Sequence, residues 1–108
     1  MTRRARFNII YAPEVRRHVD AIEARYHRLI RRAIDEQLSF APCDPARNRK
    51  PLEEPPGPSG STWELRCGPA NRFRVFYELA PDAHQVRILA IAVKDRDRLF
   101  IAGEEFEP

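Results

Sequence analysis

Trp63-Glu64-Leu65-Arg66-Cys67-Gly68-Pro69-Ala70-Asn71-Arg72-Phe73-Arg74-Val75-Phe76-Tyr77-Glu78-Leu79 is the stretch that decides the fold. Its first part alternates Trp63, Leu65 and Cys67 with Glu64 and Arg66. Its second part alternates Phe73, Val75, Tyr77 and Leu79 with Arg72, Arg74, Phe76 and Glu78. A period of two predicts half-buried strands. Between them, proline suits the first corner of a type I turn, and asparagine tolerates the left-handed conformation that follows. Pro69 to Asn71 therefore predicts a three-residue hairpin loop. That loop sets Gly68 opposite Arg72, Arg66 opposite Arg74, Leu65 opposite Val75 and Trp63 opposite Tyr77. All the large apolar residues except Phe76 then share one face, and a one-residue slip would scatter them.

Downstream, Pro81-Asp82 marks the next turn. Val86 to Val93 is apolar on both faces apart from Arg87, which predicts the most buried strand. Lys94-Asp95-Arg96-Asp97-Arg98 follows, then Leu99-Phe100-Ile101, Gly103 and an acidic end with Glu104, Glu105 and Glu107. Upstream, Arg6 to Tyr11 reads as a first strand, ended by Ala12-Pro13, and Pro13 suits the first turn of a helix. Val15, Val19 and Ile22 form one apolar stripe at helical spacing. Tyr26, Leu29, Ile30, Ala33, Ile34, Gln37 and Leu38 form a second, with Arg28, Arg31, Arg32, Asp35 and Glu36 opposite. The stripes are out of phase, so two helices with a break between about Ala21 and Arg25 are expected. Residues 42–60 hold six of the ten prolines. This predicts a connecting loop, with Pro42 stopping the second helix. The order is β-α-α-β-β-β, an α+β class, in one domain spanning 1–108.

The bulk composition agrees with an ordinary globular chain: 108 residues, 43% apolar and 32% charged. No apolar run is long enough to span a bilayer, and no long apolar h-region follows the basic start, so no membrane partner and a cytoplasmic default are expected. Cys43 and Cys67 lack metal-ligand spacing and read as reduced thiols. The net charge of +3 is uneven, with 12 basic and 6 acidic side chains in residues 1–50. Seventeen of the 19 basic residues are arginine; only Lys50 and Lys94 are lysine. Arginine grips phosphate or carboxylate with a planar fork, so this bias is compatible with nucleic acid or an acidic partner.

The hairpin register puts two cations, Arg66 and Arg74, directly across from one another. Like charges in that position are mutually destabilising and call for an offset. Either Glu64 or Glu78 on the same face supplies it, or a bound anion such as phosphate does. Arg72, Lys94, Arg96 and Arg98 are candidates to add to the positive field. The run Arg47-Asn48-Arg49-Lys50 is either a solvated loop tip or a phosphate contact. No Gly-rich phosphate loop is present. His18, His27 and His84 have no metal spacing, and His18 and His27 read as helix-surface residues. Trp63 and Tyr77 read as core aromatics.

The element order, the Trp63-Glu64-Leu65-Arg66-Cys67-Gly68 and Arg72-Phe73-Arg74-Val75-Phe76-Tyr77 strands, and the basic segment Lys94 to Arg98 together resemble the RelE/ParE toxin superfamily of bacterial type II toxin–antitoxin systems. The resemblance covers nearly the whole chain in element order. It implies two helices packed on one face of a small, mostly antiparallel sheet. It further implies one of two activities. RelE-like members cut mRNA during translation without a metal or cofactor, the ribose 2′-hydroxyl attacking the adjacent phosphate while basic side chains stabilise the developing charge. ParE-like members are instead non-enzymatic inhibitors of DNA gyrase. Either kind is held by a cognate antitoxin, and an inactive relative would keep that partner alone. On this resemblance Arg66, Arg74, Arg96 and Lys94 are the candidate catalytic residues. Lys50, Arg49, Arg47, Arg72 and Arg98 are the candidate RNA contacts. One departure stands out: RNA-cleaving relatives often carry Tyr or His near the C-terminus, and here the stretch reads Leu99-Phe100-Ile101-Ala102. Phe100 and Ala102 cannot transfer a proton.

Overall fold

The computed structural model describes residues 6–54 and 56–107. Among these residues seven strands form one sheet: β1 (Asn8–Tyr11), β2 (Arg49–Pro51), β3 (Trp63–Cys67), β4 (Phe73–Ala80), β5 (Gln85–Asp95), β6 (Arg98–Ile101) and β7 (Glu104–Phe106). Two helices, α1 (Val15–Asp20) and α2 (His27–Leu38), are separated by a 3₁₀ turn at Ala24–Tyr26, where the break was expected. The class is α+β. The path through the sheet is β2-β3-β4-β5-β6-β7, all antiparallel, while β1 pairs parallel to β5. Among the described residues no helix is long and apolar enough to cross a membrane.

The β3–β4 register agrees pair by pair with the reading of the hairpin: Trp63 faces Tyr77, Leu65 faces Val75, and Arg66 faces Arg74. The loop itself differs. Ala70 as well as Asn71 is left-handed, at φ +54° and +53°, so the corner is not type I. Gly68 precedes it at φ +82°. Three strands, β2, β6 and β7, lie outside the expected β-α-α-β-β-β order. Both β2 and β7 have only three residues, too few to show a period. Strand β2 ends on Pro51 at the sheet edge, where proline is tolerated. Strands β6 and β7 form a tight hairpin across Ala102 and Gly103, both at positive φ, as a two-residue hairpin loop requires.

Strand β5 carries the core. Opposite Phe76 and Tyr77 its register shifts, pairing Ala90 and Ile88 and leaving Leu89 as an extra residue. This bulge exchanges the faces. Before it, Val86 and Ile88 enter the helix-side core; after it, Ile91 and Val93 do. Ala90 and Ala92 point to the other side, where Phe76, Leu52, Leu99 and Ile101 form a second, smaller cluster. The helix-side core takes Ile30 and Ile34 from α2, both at most 2% exposed, together with Leu65, Val75 and Tyr77. Leu29, expected in the α2 stripe, is exposed. The Tyr77 hydroxyl donates to the Pro42 carbonyl at 2.8 Å, so the core ring also ties down the start of the Pro-rich loop. Burial pushes the Tyr77 phenol up from its ordinary value.

Two strands share one edge of β5. Strand β1 covers Gln85 to Ile88, and β6 begins at Val93. Helix α1 fills the interval, and His18, read from sequence as a surface residue, is buried there at 4% exposure. The Ile91 N–H, left without a strand partner, donates to His18 Nδ1 at 3.3 Å. His18 must therefore be neutral at Nδ1. Burial is the main cause holding its pKa below 6.5; Arg17 adds to this and Glu14 opposes it. The unfolded chain thus takes up protons more readily than the fold. This contribution to stability is intact above about pH 6.5 and is lost as pH falls through the lower folded-state value. Urea midpoints measured from about pH 8 down to about pH 5 should fall for the parent chain. His18→Gln keeps an acceptor and should flatten that part of the slope; an unchanged slope would place the titrating group elsewhere.

Candidate nucleic-acid interface

The sheet face away from the helices gathers the cations. Its rows follow from the pairing. Lys50, Glu64, Phe76 and Ala90 lie across one row, and Arg66, Arg74 and Ala92 across the next. Lys94 follows Ala92 on the same side of β5 by alternation. Glu64 is the offset that the facing arginines require. Its Oε1 accepts from Arg74 Nη1 at 2.7 Å and from Arg66 Nε at 3.2 Å. The carboxylate is 8% exposed at its side chain, Arg74 10% and Arg66 33%. Arg74 Nε also donates to the Asn71 carbonyl at 3.1 Å, which ties the guanidinium to the hairpin loop. Glu78, the other candidate offset, lies instead against Arg87 at 3.4 Å.

At the end of the sheet Arg72, Arg74, Lys94 and Arg96 line one open depression with Pro69, Ala70 and Asp95. Arg96 sits in the β5–β6 turn at φ +59°. The Lys94 amide donates to the Arg72 carbonyl at 2.7 Å, which locks the two chain segments side by side. Arg74 is already paired with Glu64, so Arg72, Lys94 and Arg96 against Asp95 supply the surplus positive charge, an arrangement suited to an anion. With phosphate as occupant, several N–H donors would converge on its oxygens. Arg66 stands next to this group through the shared Glu64.

The other candidates lie apart from it. Lys50 is exposed on the same face, directly across from Glu64. Arg47 is exposed on the loop before β2. Arg98 is exposed and turned to Glu105 at 3.7 Å. Arg49 points the other way. It faces Leu65 in register and is 8% exposed. Its guanidinium donates to the Asp44 carbonyl at 2.8 Å, to the Gln37 carbonyl at 3.2 Å and to Gln37 Oε1 at 2.7 Å. A cation at the last turn of α2 complements the helix dipole; Arg49 is a structural clip there and offers no surface to RNA. The signal that separates it from Lys50 is strand alternation, visible only once β2 is recognised.

Proton-transfer groups are sparse here. No histidine or tyrosine lines the cationic depression. Burial pushes the Cys67 thiol up to about 11, far from a nucleophile's range at neutral pH. Phe100 and Ala102 line a separate groove on the helix side. Among the described residues no three His, Cys, Asp or Glu side chains are placed to hold a metal. Compared with known proteins, the chain matches no family model, no curated protein and no solved structure.

Proposed function

We propose that this protein is the toxin of a type II toxin–antitoxin pair, of the RelE/ParE-like kind. In this reading the cationic depression holds an RNA phosphate, and the protein cuts mRNA during translation without a metal. The observation that carries the reading is the meeting of Arg72, Arg74, Lys94 and Arg96 in one depression beside Arg66. Lys94 and Arg96 make no ion pair among the described residues, so their charge is available to a ligand. They would stabilise the charge that gathers on phosphate as the neighbouring 2′-hydroxyl attacks. Removing one such donor costs about 10²–10³ in rate in well-studied sites.

The test is a map of RNA ends after induced expression. New ends within translated messages are expected, and Lys94→Ala or Arg96→Ala should reduce them by about 10²-fold. Cleavage unchanged in both variants would remove the depression from the mechanism. The absence of histidine and tyrosine from the depression favours a second reading, in which the chain inhibits DNA gyrase without cleaving RNA, or binds only its antitoxin. Growth arrest with intact mRNA and accumulated gyrase-linked DNA breaks would select the gyrase form. A neighbouring open reading frame whose product co-purifies with the chain is expected under each reading.

A further inference from the structure

The cationic depression has a neighbour on the helix side of the sheet. A groove of about 310 Å³ runs between the α1–α2 connection and strands β5 and β6. Its walls include Tyr26, Phe73 and Phe100, and His18, whose Nδ1 is committed to Ile91, lines it too. Arg72 and Asp95 line both hollows. The Arg72 guanidinium carbon lies 5.9 Å from the centre of the Tyr26 ring and 5.8 Å from that of Phe73. One cation is thus the partition between an anion site and an aromatic-walled groove. The groove's volume is at the lower end of the ~300–1,000 Å³ typical of small-molecule sites, enough for one heterocycle and too little for a folded segment.

A nucleotide has this bipartite chemistry: an anionic phosphate joined to a planar, apolar-faced base. Resting on the reading above, we propose that the groove is a nucleobase subsite, occupied by the base of a nucleotide whose phosphate lies against Arg72, Arg74, Lys94 and Arg96. Half-buried Phe100 presents ring surface to the base, while Tyr26, whose ring carries the Arg25 guanidinium at 4.7 Å, closes the groove beside it; base–aromatic stacking tolerates any base. Asp95 sets a preference. Its carboxylate only accepts hydrogen bonds and makes no ion pair among the described residues. It suits the exocyclic amino group of adenine, cytosine or guanine. Uracil carries no amino group, and two carbonyl oxygens flank its one N–H.

Titrating the full chain by NMR with inorganic phosphate, ribose 5-phosphate and the 5′-monophosphates of cytidine, adenosine and uridine tests this. Cytidine and adenosine monophosphates should bind about tenfold tighter than ribose 5-phosphate, with the uridine form between. Two variants act in opposite ways on the groove: Phe100→Ala empties one wall, and Ala21→Trp fills the space from an exposed position at the end of α1. Both should bring the nucleotides down to the ribose 5-phosphate level and leave ribose 5-phosphate binding unchanged. Equal binding of all phosphates would overturn the subsite while the anion site stands. Tighter nucleotide binding that neither variant alters would overturn it too, by placing the base elsewhere. If neither phosphate nor any nucleotide binds, the anion-site reading falls and takes the subsite with it.

Discussion

Glu64→Ala is expected to cost ~3–5 kcal/mol of folding stability, the range found when one partner of a buried charge pair is removed. The carboxylate is the shared acceptor of two guanidiniums that strand pairing forces together. Without it, Arg74 is left buried with an unpaired charge and a second cation directly opposite. Glu64→Gln keeps an acceptor oxygen and should lose less. Coupling Glu64→Leu to Arg74→Met removes both charges in similar volume and should recover most of the loss. Urea unfolding at neutral pH measures all three. A loss below ~1 kcal/mol for Glu64→Ala, the size of an exposed pair, would mean that water already screens the bridge.

Gly68→Ala is the second large effect. Gly68 adopts φ +82° and ψ −178°, a region open in practice only to glycine, at a cost of ~1–3 kcal/mol for other residues. A methyl there would also clash with Cδ2 and lie 2.8 Å from Cε2 of Phe73. Phe73 is 1% exposed and packed into the core, so moving its ring off Gly68 disturbs that packing, and overpacking adds ~1–3 kcal/mol. Gly60→Ala is the comparison: it also has positive φ, +82°, but a methyl there meets nothing among the described residues within 4 Å, so it tests a positive-φ substitution without a clash. Thermal melts should show Gly68→Ala falling well below Gly60→Ala. Equal losses would mean that the Phe73 ring gives way.

Some of this fold was legible in the residues and some was not, for identifiable reasons. The β3–β4 register was readable because turn chemistry and alternation, two independent signals, agree there. The Arg66–Arg74 confrontation followed from that register alone. Its resolution by Glu64 rather than Glu78 did not, since both lie on the same face and side-chain reach decides between them. The bulge at Leu89 was invisible because β5 is apolar at both parities, so a shift of one residue leaves no mark in the pattern. Arg49 was misplaced because an arginine in a basic run looks solvated until β2 gives the run an inside and an outside. His18 was misplaced because α1 is six residues long and lies in an interval of the sheet edge that only the three-dimensional pairing creates.

The bulge makes β5 a splice joint. Its two halves obey opposite parity rules and answer to different neighbours: the first to the parallel strand β1, the second to the antiparallel hairpin of β6 and β7. One supernumerary leucine therefore sets which way the whole C-terminal hairpin faces. It decides that Lys94 is delivered to the cationic side and Phe100 to the aromatic groove. Handedness of that assignment is held by backbone count, and no side chain near the hollows could restore it.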